Sequence, residues 1–179
     1  MSDVYTIGHS QHPLPVFVEL LARHAVGLLV DVRAAPYSRR HPQFNREALA
    51  AGLEAQGIRY RWLGEALGGL RAPVTASPHT ALVEPAFQAY AAHLGDADFR
   101  DTLAKLVVAA ARHRVAVMCA EADHTHCHRQ FIADALTVQG HPVLHIAASG
   151  ELQAHRLHAG LRVVDGQLLY DRHGQGDLF

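Results

Sequence analysis

Short apolar runs alternate with amphipathic stretches along most of this chain. Residues 4–8 (VYTIG), 27–32 (GLLVDV), 58–63, 115–118 and 142–146 read as strands. All but 58–63, where Arg59 and Arg61 alternate with apolar residues, are brief apolar runs bounded by turn or polar residues, the pattern of a strand buried in a sheet. Between them the apolar period becomes helical. Pro13 opens one helix through His24, with Val16, Phe17, Leu20 and Leu21 at helical spacing. Asn45 is placed to cap a second over 46–56. Two more span 85–94 and 99–113, the latter with Leu103, Leu106, Val107 and Ala110 as its stripe, and another covers 130–139. Near the C-terminus Asp165-Gly166 separates two apolar runs, a hairpin signal. Residues 71–84 have loop composition and are long enough for a lid or an insertion. The alternation predicts an α/β fold in a single domain over residues 1–170. A mostly parallel sheet is covered by helices on both faces and followed by a C-terminal β-hairpin, with a tail at 171–179.

The polar residues are distributed in a pattern relative to those strands. His9 and Ser10 follow the first, Asp31 and Arg33 end the second, and Cys119 and Glu121 end the fourth. Ligands of an open parallel sheet bind beyond the carboxyl ends of its strands. Clusters far apart in sequence are therefore expected to meet at one edge.

The stretch 118–131 (MCAEADHTHCHRQF) contains both cysteines of the chain. As a metal site it offers Cys119, Cys127, His124, His126 and His128. The cysteines are not spaced as the tight pairs of structural zinc sites, so no cofactor is expected and metal ranks low. As a strand–loop–helix it is ready for an anion: Asp123 or Thr125 caps the helix, and Cys127, His128 and Arg129 fall near its first turn. Cys127 and His128 precede Phe131 and Ile132 by one helical turn and continue their buried face. A thiol placed there, beside histidine and arginine, is expected to ionise easily. Cys119 reads either as an alternative nucleophile or as a small buried residue. Glu121 reads either as an acid or base, or as a partner for Arg33 or Arg129.

Composition limits the functional classes. With a net charge of −1 and a pI of about 6.9, the chain lacks a generally basic surface for nucleic acid. The loop 33–46 is locally basic and includes Ser38, Arg39, Tyr37 and Phe44. That composition fits a solvated basic loop first and, as the alternative, phosphate contact and stacking on a nucleotide or a single strand. Lys105 is the only lysine, so arginine identity alone carries little weight. No apolar run reaches membrane-helix length and the N-terminus lacks signal-peptide features, so a cytoplasmic location with reduced thiols is expected, with no membrane partner. Gln175, Asp177, Leu178 and Phe179 resemble the pentapeptide that binds the bacterial sliding clamp, with Gly176 as the departure.

Taken in chain order, several motifs resemble the family known as domain of unknown function 488. They are Thr6-Ile7-Gly8-His9-Ser10, Leu29-Val30-Asp31-Val32-Arg33, Pro36 with Ser38-Arg39, Pro42-Gln43-Phe44, Gly57-Ile58 with Tyr60, Leu67-Gly68-Gly69, Met118-Cys119 with Glu121, and Cys127-His128-Arg129. The resemblance implies an α/β domain and groups His9, Asp31, Arg33, Cys119, Glu121, Cys127, His128 and Arg129 as one site without assigning their roles. Residues 29–33 are also similar to rhodanese-like domains, but those place arginine closely after a catalytic cysteine on a compact loop, whereas here Arg129 follows Cys119 at a distance. The leading expectation is an enzyme acting on an anionic or phosphate-bearing ligand, such as a nucleotide or nucleic-acid end. Arg33, Arg129 and the helix N-terminus would bind the anion, with Glu121 or His128 moving protons and Cys119 or Cys127 as thiolate. A non-catalytic binding module for DNA replication or repair, acting through the clamp-like peptide, is the alternative. A metal-dependent hydrolase is third.

Overall fold

The computed structural model describes residues 3–172. Five strands run parallel at its centre: β1 (Val4–Gly8), β2 (Leu28–Asp31), β3 (Arg59–Trp62), β4 (Val115–Cys119) and β5 (Val143–Ile146). A sixth, β6 (Leu152–Ala154), joins antiparallel at the edge, giving the order β3-β2-β4-β1-β5-β6. The fold is therefore the expected α/β architecture, and β7 (Leu161–Val164) with β8 (Gln167–Tyr170) forms the C-terminal hairpin. Its turn places Asp165 and Gly166 at φ of 50° and 77°, the left-handed pair that a tight two-residue hairpin requires.

Side-chain alternation sends each central strand into two cores. Tyr5, Ile7, Leu29, Ala116 and Met118 face one side, where α1 (Leu14–Arg23) packs Phe17, Leu20 and Leu21, and α2 (Arg46–Glu54) packs Leu49 and Leu53. Val4, Leu28, Val30, Val115, Val117 and Cys119 face the other. That side is covered by α4 (Pro85–His93), α5 (Ala97–Ala110) and α6 (Arg129–Val138), after the single turn α3 (Gly64–Leu67). Tyr90, Phe99, Phe131, Leu136 and Tyr170 fill it. Burying a large apolar side chain of this kind contributes about 1.5–3 kcal/mol.

The topology creates a crevice. Strands β1 and β2 lead into α1 and α2 on one face, whereas β4, lying between them, leads into α6 on the other. Chain exits thus diverge at the carboxyl ends of β1, β4 and β2, a topological switch point of the kind at which α/β sheets bind ligands. Three backbone bonds extend the ladder past the strands: His9 and Ser10 donate to the carbonyls of Cys119 and Ala120, and Val32 donates to that of Met118.

Two expected caps are corrected. Asn45 stands at the N-cap of α2 without capping it, because its Oδ1 accepts from the Ser38 N–H and ties down the preceding loop. Asp123 caps a short 3-10 turn over 124–126 through the Thr125 N–H, and α6 starts later, at Arg129. The segment 71–84 is irregular, but it is held at its far end. Ala81 donates to the Tyr170 carbonyl, His79 Nδ1 accepts from the Tyr170 N–H, and Leu82 is buried.

Candidate functional site

A cleft of about 970 Å³ opens at the switch point. His9 and Ser10 after β1, Arg33 after β2, and Cys119 and Glu121 at the end of β4 all line it. Cys127 and His128 form its floor toward α6, Ser38 lies on its rim, and Tyr37, Arg40 and His41 add further rim residues from the loop after β2. Of the other sequence-predicted residues, Asp31, Phe44 and Arg129 are buried behind the wall, and Arg39 is exposed without lining the cleft. Gln175, Asp177, Leu178 and Phe179 lie outside the described residues.

The β2 wall is a preorganised ion pair. Asp31, fully buried, receives Arg33 Nε at 2.9 Å and Nη2 at 2.7 Å, together with the Tyr60 hydroxyl at 2.6 Å. Arg33 Nη2 also donates to the Phe44 carbonyl. Its Nη1 is left toward His9 Nε2 at 3.4 Å and toward the cleft. Asp31 thus orients Arg33 and does not itself line the cleft. His9 lies flat on Phe44, their ring centroids 4.2 Å apart, and donates from Nδ1 to the Ser10 carbonyl. That bond fixes the tautomer, leaving Nε2 as the acceptor that meets Arg33.

Burial, aided by the Arg33 charge, holds the His9 pKa down to about 4. The folded state therefore takes this proton less readily than the unfolded chain, whose histidine titrates near pH ~6.5. The stabilisation is complete above that pH and is lost as pH falls toward 4. Between pH 7 and pH ~4.5 the loss amounts to about 2–3 kcal/mol. Urea unfolding at pH 7 and pH ~4.5 should show a loss that shrinks by about this much in His9→Gln. An identical pH dependence in both proteins would contradict the assignment.

The two cysteines meet at the cleft floor. Their Sγ atoms are 2.7 Å apart, although Cys119 ends a strand and Cys127 precedes α6. Cys127 also lies 3.6 Å from His128 Nδ1 and accepts the Arg129 backbone N–H at 3.5 Å. His128 Nε2 donates to the Val32 carbonyl at 3.0 Å, so Nδ1 is the basic nitrogen presented to sulfur. A Cβ on Gly69 would sit 2.9 Å from that Nδ1, so the glycine lets the backbone approach the imidazole. The Cys119 S–H donated to Cys127, with His128 and Arg129 nearby, holds the Cys127 thiol well below the ordinary range. Burial and the shared proton push Cys119 up.

Arg129 is the main correction to the expected roles. It is 1% exposed, and its guanidinium turns inward rather than to a ligand. Nε donates to Cys119 Sγ at 3.0 Å, Nη1 to Thr6 Oγ1 at 3.2 Å, and Nη2 to the carbonyls of Glu121 and Ala122. Among the described residues no carboxylate pairs with it. Its positive charge instead lies against the cysteine pair and helps to lower the Cys127 pKa. Glu121 is exposed and forms no ion pair with Arg33 or Arg129 among the described residues, so its structural reading falls and a carboxylate facing the cleft remains. Phe87 and Tyr90 of α4 also line the cleft and were not foreseen, because their helical spacing is that of core residues.

The histidines of the 118–131 stretch go separate ways. His128 serves the cysteines, and exposed His126 pairs with Asp123. His124 leaves the cleft and stacks on His145, centroids 3.5 Å apart. The cysteines and these histidines therefore do not form one metal site.

A family model described as "Domain of unknown function DUF488" matches residues 13–136. No curated protein and no solved structure gives a match. Among the described residues no helix is long and apolar enough to cross a membrane.

Proposed function

For a chain that belongs to the DUF488 family, whose description assigns no activity, we propose a thiol enzyme that transfers a group from an anionic, phosphate-bearing ligand through Cys127. The observation that supports this is the contact between Cys127 Sγ and His128 Nδ1, with the far side of the imidazole held by the Val32 carbonyl. A nucleophile beside a base that is itself oriented by a third group is the general arrangement of covalent catalysis. Cys119 and the buried Arg129 take the place that a carboxylate or an oxyanion donor holds elsewhere, lowering the cost of the sulfur's negative charge.

In the proposed reaction the Cys127 thiolate attacks the electrophilic centre. The S–X bond forms as the bond to the leaving group breaks, and protonated His128 gives its proton to the departing group. Water then attacks the thio-adduct, Glu121 taking its proton as the X–O bond forms and the S–X bond breaks to regenerate the thiolate. The proton passes from Glu121 through solvent back to His128. Arg33 Nη1 and Arg40 supply the positive charge facing the ligand, and Tyr37, 67% exposed at the rim, offers a face for a nucleotide or nucleic-acid end.

Iodoacetamide labelling across pH, mapped by mass spectrometry on the full chain, tests this reading. Cys127 is expected to react with a midpoint well under the ~8.5 of a free thiol. Inorganic pyrophosphate should slow the labelling, and Cys127→Ser should abolish the fast phase. Labelling that begins only near the free-thiol midpoint, or that falls on Cys119 instead, would count against Cys127 as the nucleophile.

A further inference from the structure

We propose that His124, His145 and His155 form a site for a borderline divalent ion such as zinc, separate from the cysteine cleft. One nitrogen from each of the three lies within 4.8 Å of the others. The residues come from the turn after β4, from β5, and from the segment that follows β6, so no local motif announces them. Imidazole is a suitable donor for zinc, copper, nickel and iron, and three such donors leave a fourth position for water or a ligand.

The outer nitrogens supply the second observation. His155 Nε2 is 2.8 Å from Asp134 Oδ1, and His145 Nδ1 is 2.6 Å from Thr6 Oγ1. These bonds leave His155 Nδ1 and His145 Nε2 facing one another, 2.9 Å apart. Metal-bound histidines commonly donate their second N–H to a carboxylate or another oxygen, which fixes the ring and strengthens the ligand. Asp134 is itself fixed: it is fully buried and accepts from Gln130, the His158 N–H and the Tyr170 hydroxyl. It also supplies a negative charge against the ion, while Arg129 lies beyond Thr6.

A purely structural histidine pair would account for His145 and His155 alone. It gives no reason for a third imidazole to lie flat on His145, at 3.5 Å and 10°, with no side-chain hydrogen bond of its own among the described residues. Access is present as well. A cavity of about 490 Å³ reaches His124 between Gln130, Gln153 and Arg156. Binding at His145 Nε2 and His155 Nδ1 needs a tautomer shift on His145, whose proton moves to Nδ1 and faces Thr6, and a widening of their 2.9 Å contact toward the ~3.3 Å between tetrahedral ligands. Both rings stay neutral. The stacked His124 ring must turn to bring its nitrogen in.

The test uses the full chain after chelator treatment, with zinc chloride followed by calorimetry and cobalt(II) chloride by absorption. One ion per chain is expected, and the cobalt spectrum should lack thiolate charge-transfer intensity. His124→Ala and the more conservative His124→Gln should each weaken binding by about 100-fold or more, loss of a ligand exceeding the 10- to 100-fold typical of an outer-shell partner. Far-ultraviolet circular dichroism should be unchanged, because His124 is half-buried on a turn. Cys127→Ser should bind as the parent does. Absence of binding in the parent, full affinity in both His124 variants, or loss of binding in Cys127→Ser would overturn the proposal. The last result would place the ion at the cysteines.

Discussion

Arg129→Ala is expected to lower stability by about 3–5 kcal/mol, the cost of breaking a fully buried charged network. The side chain supplies donors to four acceptors: Cys119 Sγ, Thr6 Oγ1 and the carbonyls of Glu121 and Ala122. Truncation leaves these groups without a donor and opens a void between β4 and α6, and the two costs add. Urea unfolding gives the stability. Arg129→Met separates volume from charge: it refills the space and should recover part of the loss, but leaves the acceptors and the thiolate uncompensated. Its Cys127 labelling should therefore shift to higher pH even where its stability improves. Arg129→Lys keeps the charge on a head that cannot serve acceptors so far apart, so it should fall between the two. If Arg129→Ala unfolded at the parent's urea midpoint, the buried network would have no energetic standing.

That role was only partly legible in the sequence. The central parallel strands were readable because such strands are apolar on both faces, and GLLVDV or VAVMC leaves little else to predict, whereas edge strand β3 shows itself by alternation of Arg59 and Arg61 with Tyr60 and Trp62. Edge strand β6 was missed for the opposite reason: Leu152, Gln153 and Ala154 are all exposed, so no alternation marks them. That His9, Arg33, Cys119, Cys127 and His128 line one cleft was readable because each ends or follows a strand or precedes a helix. Arg129 was assigned the common task of a basic residue at a helix N-terminus, which is to meet an anion. Yet it stands one turn before Ile132 and Ala133 and two before Leu136, all fully buried, so its side chain starts into the core. Asp134 of α6 is fully buried under Tyr170 and His155, and both lie so far along the chain that no local pattern marks the contact. The contact between Cys119 and Cys127 likewise depends on where α6 returns across the sheet, and residue spacing does not encode that.

Gly8→Ala should cost about 3 kcal/mol or more, among the largest effects of any single methyl group here. An added Cβ would lie 1.9 Å from the Glu121 carbonyl oxygen, 2.6 Å from its carbon and 2.9 Å from Ala122 Cα, all backbone atoms that cannot swing aside. Relief requires moving the 120–122 turn, and that turn is held twice. Ser10 donates to the Ala120 carbonyl, and Arg129 donates to those of Glu121 and Ala122. Gly8 is thus the contact surface that lets the end of β1 lie under the turn carrying Glu121, and the damage should reach the cysteines through Arg129. Two measurements follow from this. Cys127 labelling in Gly8→Ala should shift toward the free-thiol range, and the Gly8→Ala/Arg129→Ala double variant should be destabilised by less than the sum of the singles, because both disrupt the same turn. Gly27→Ala is the control, since a Cβ there meets nothing within 4 Å. Its effect should stay within about 0.5–1 kcal/mol. Equal costs for the two glycine variants would show that the turn moves freely, and that β1 and the 120–122 segment do not hold Arg129 against the thiols.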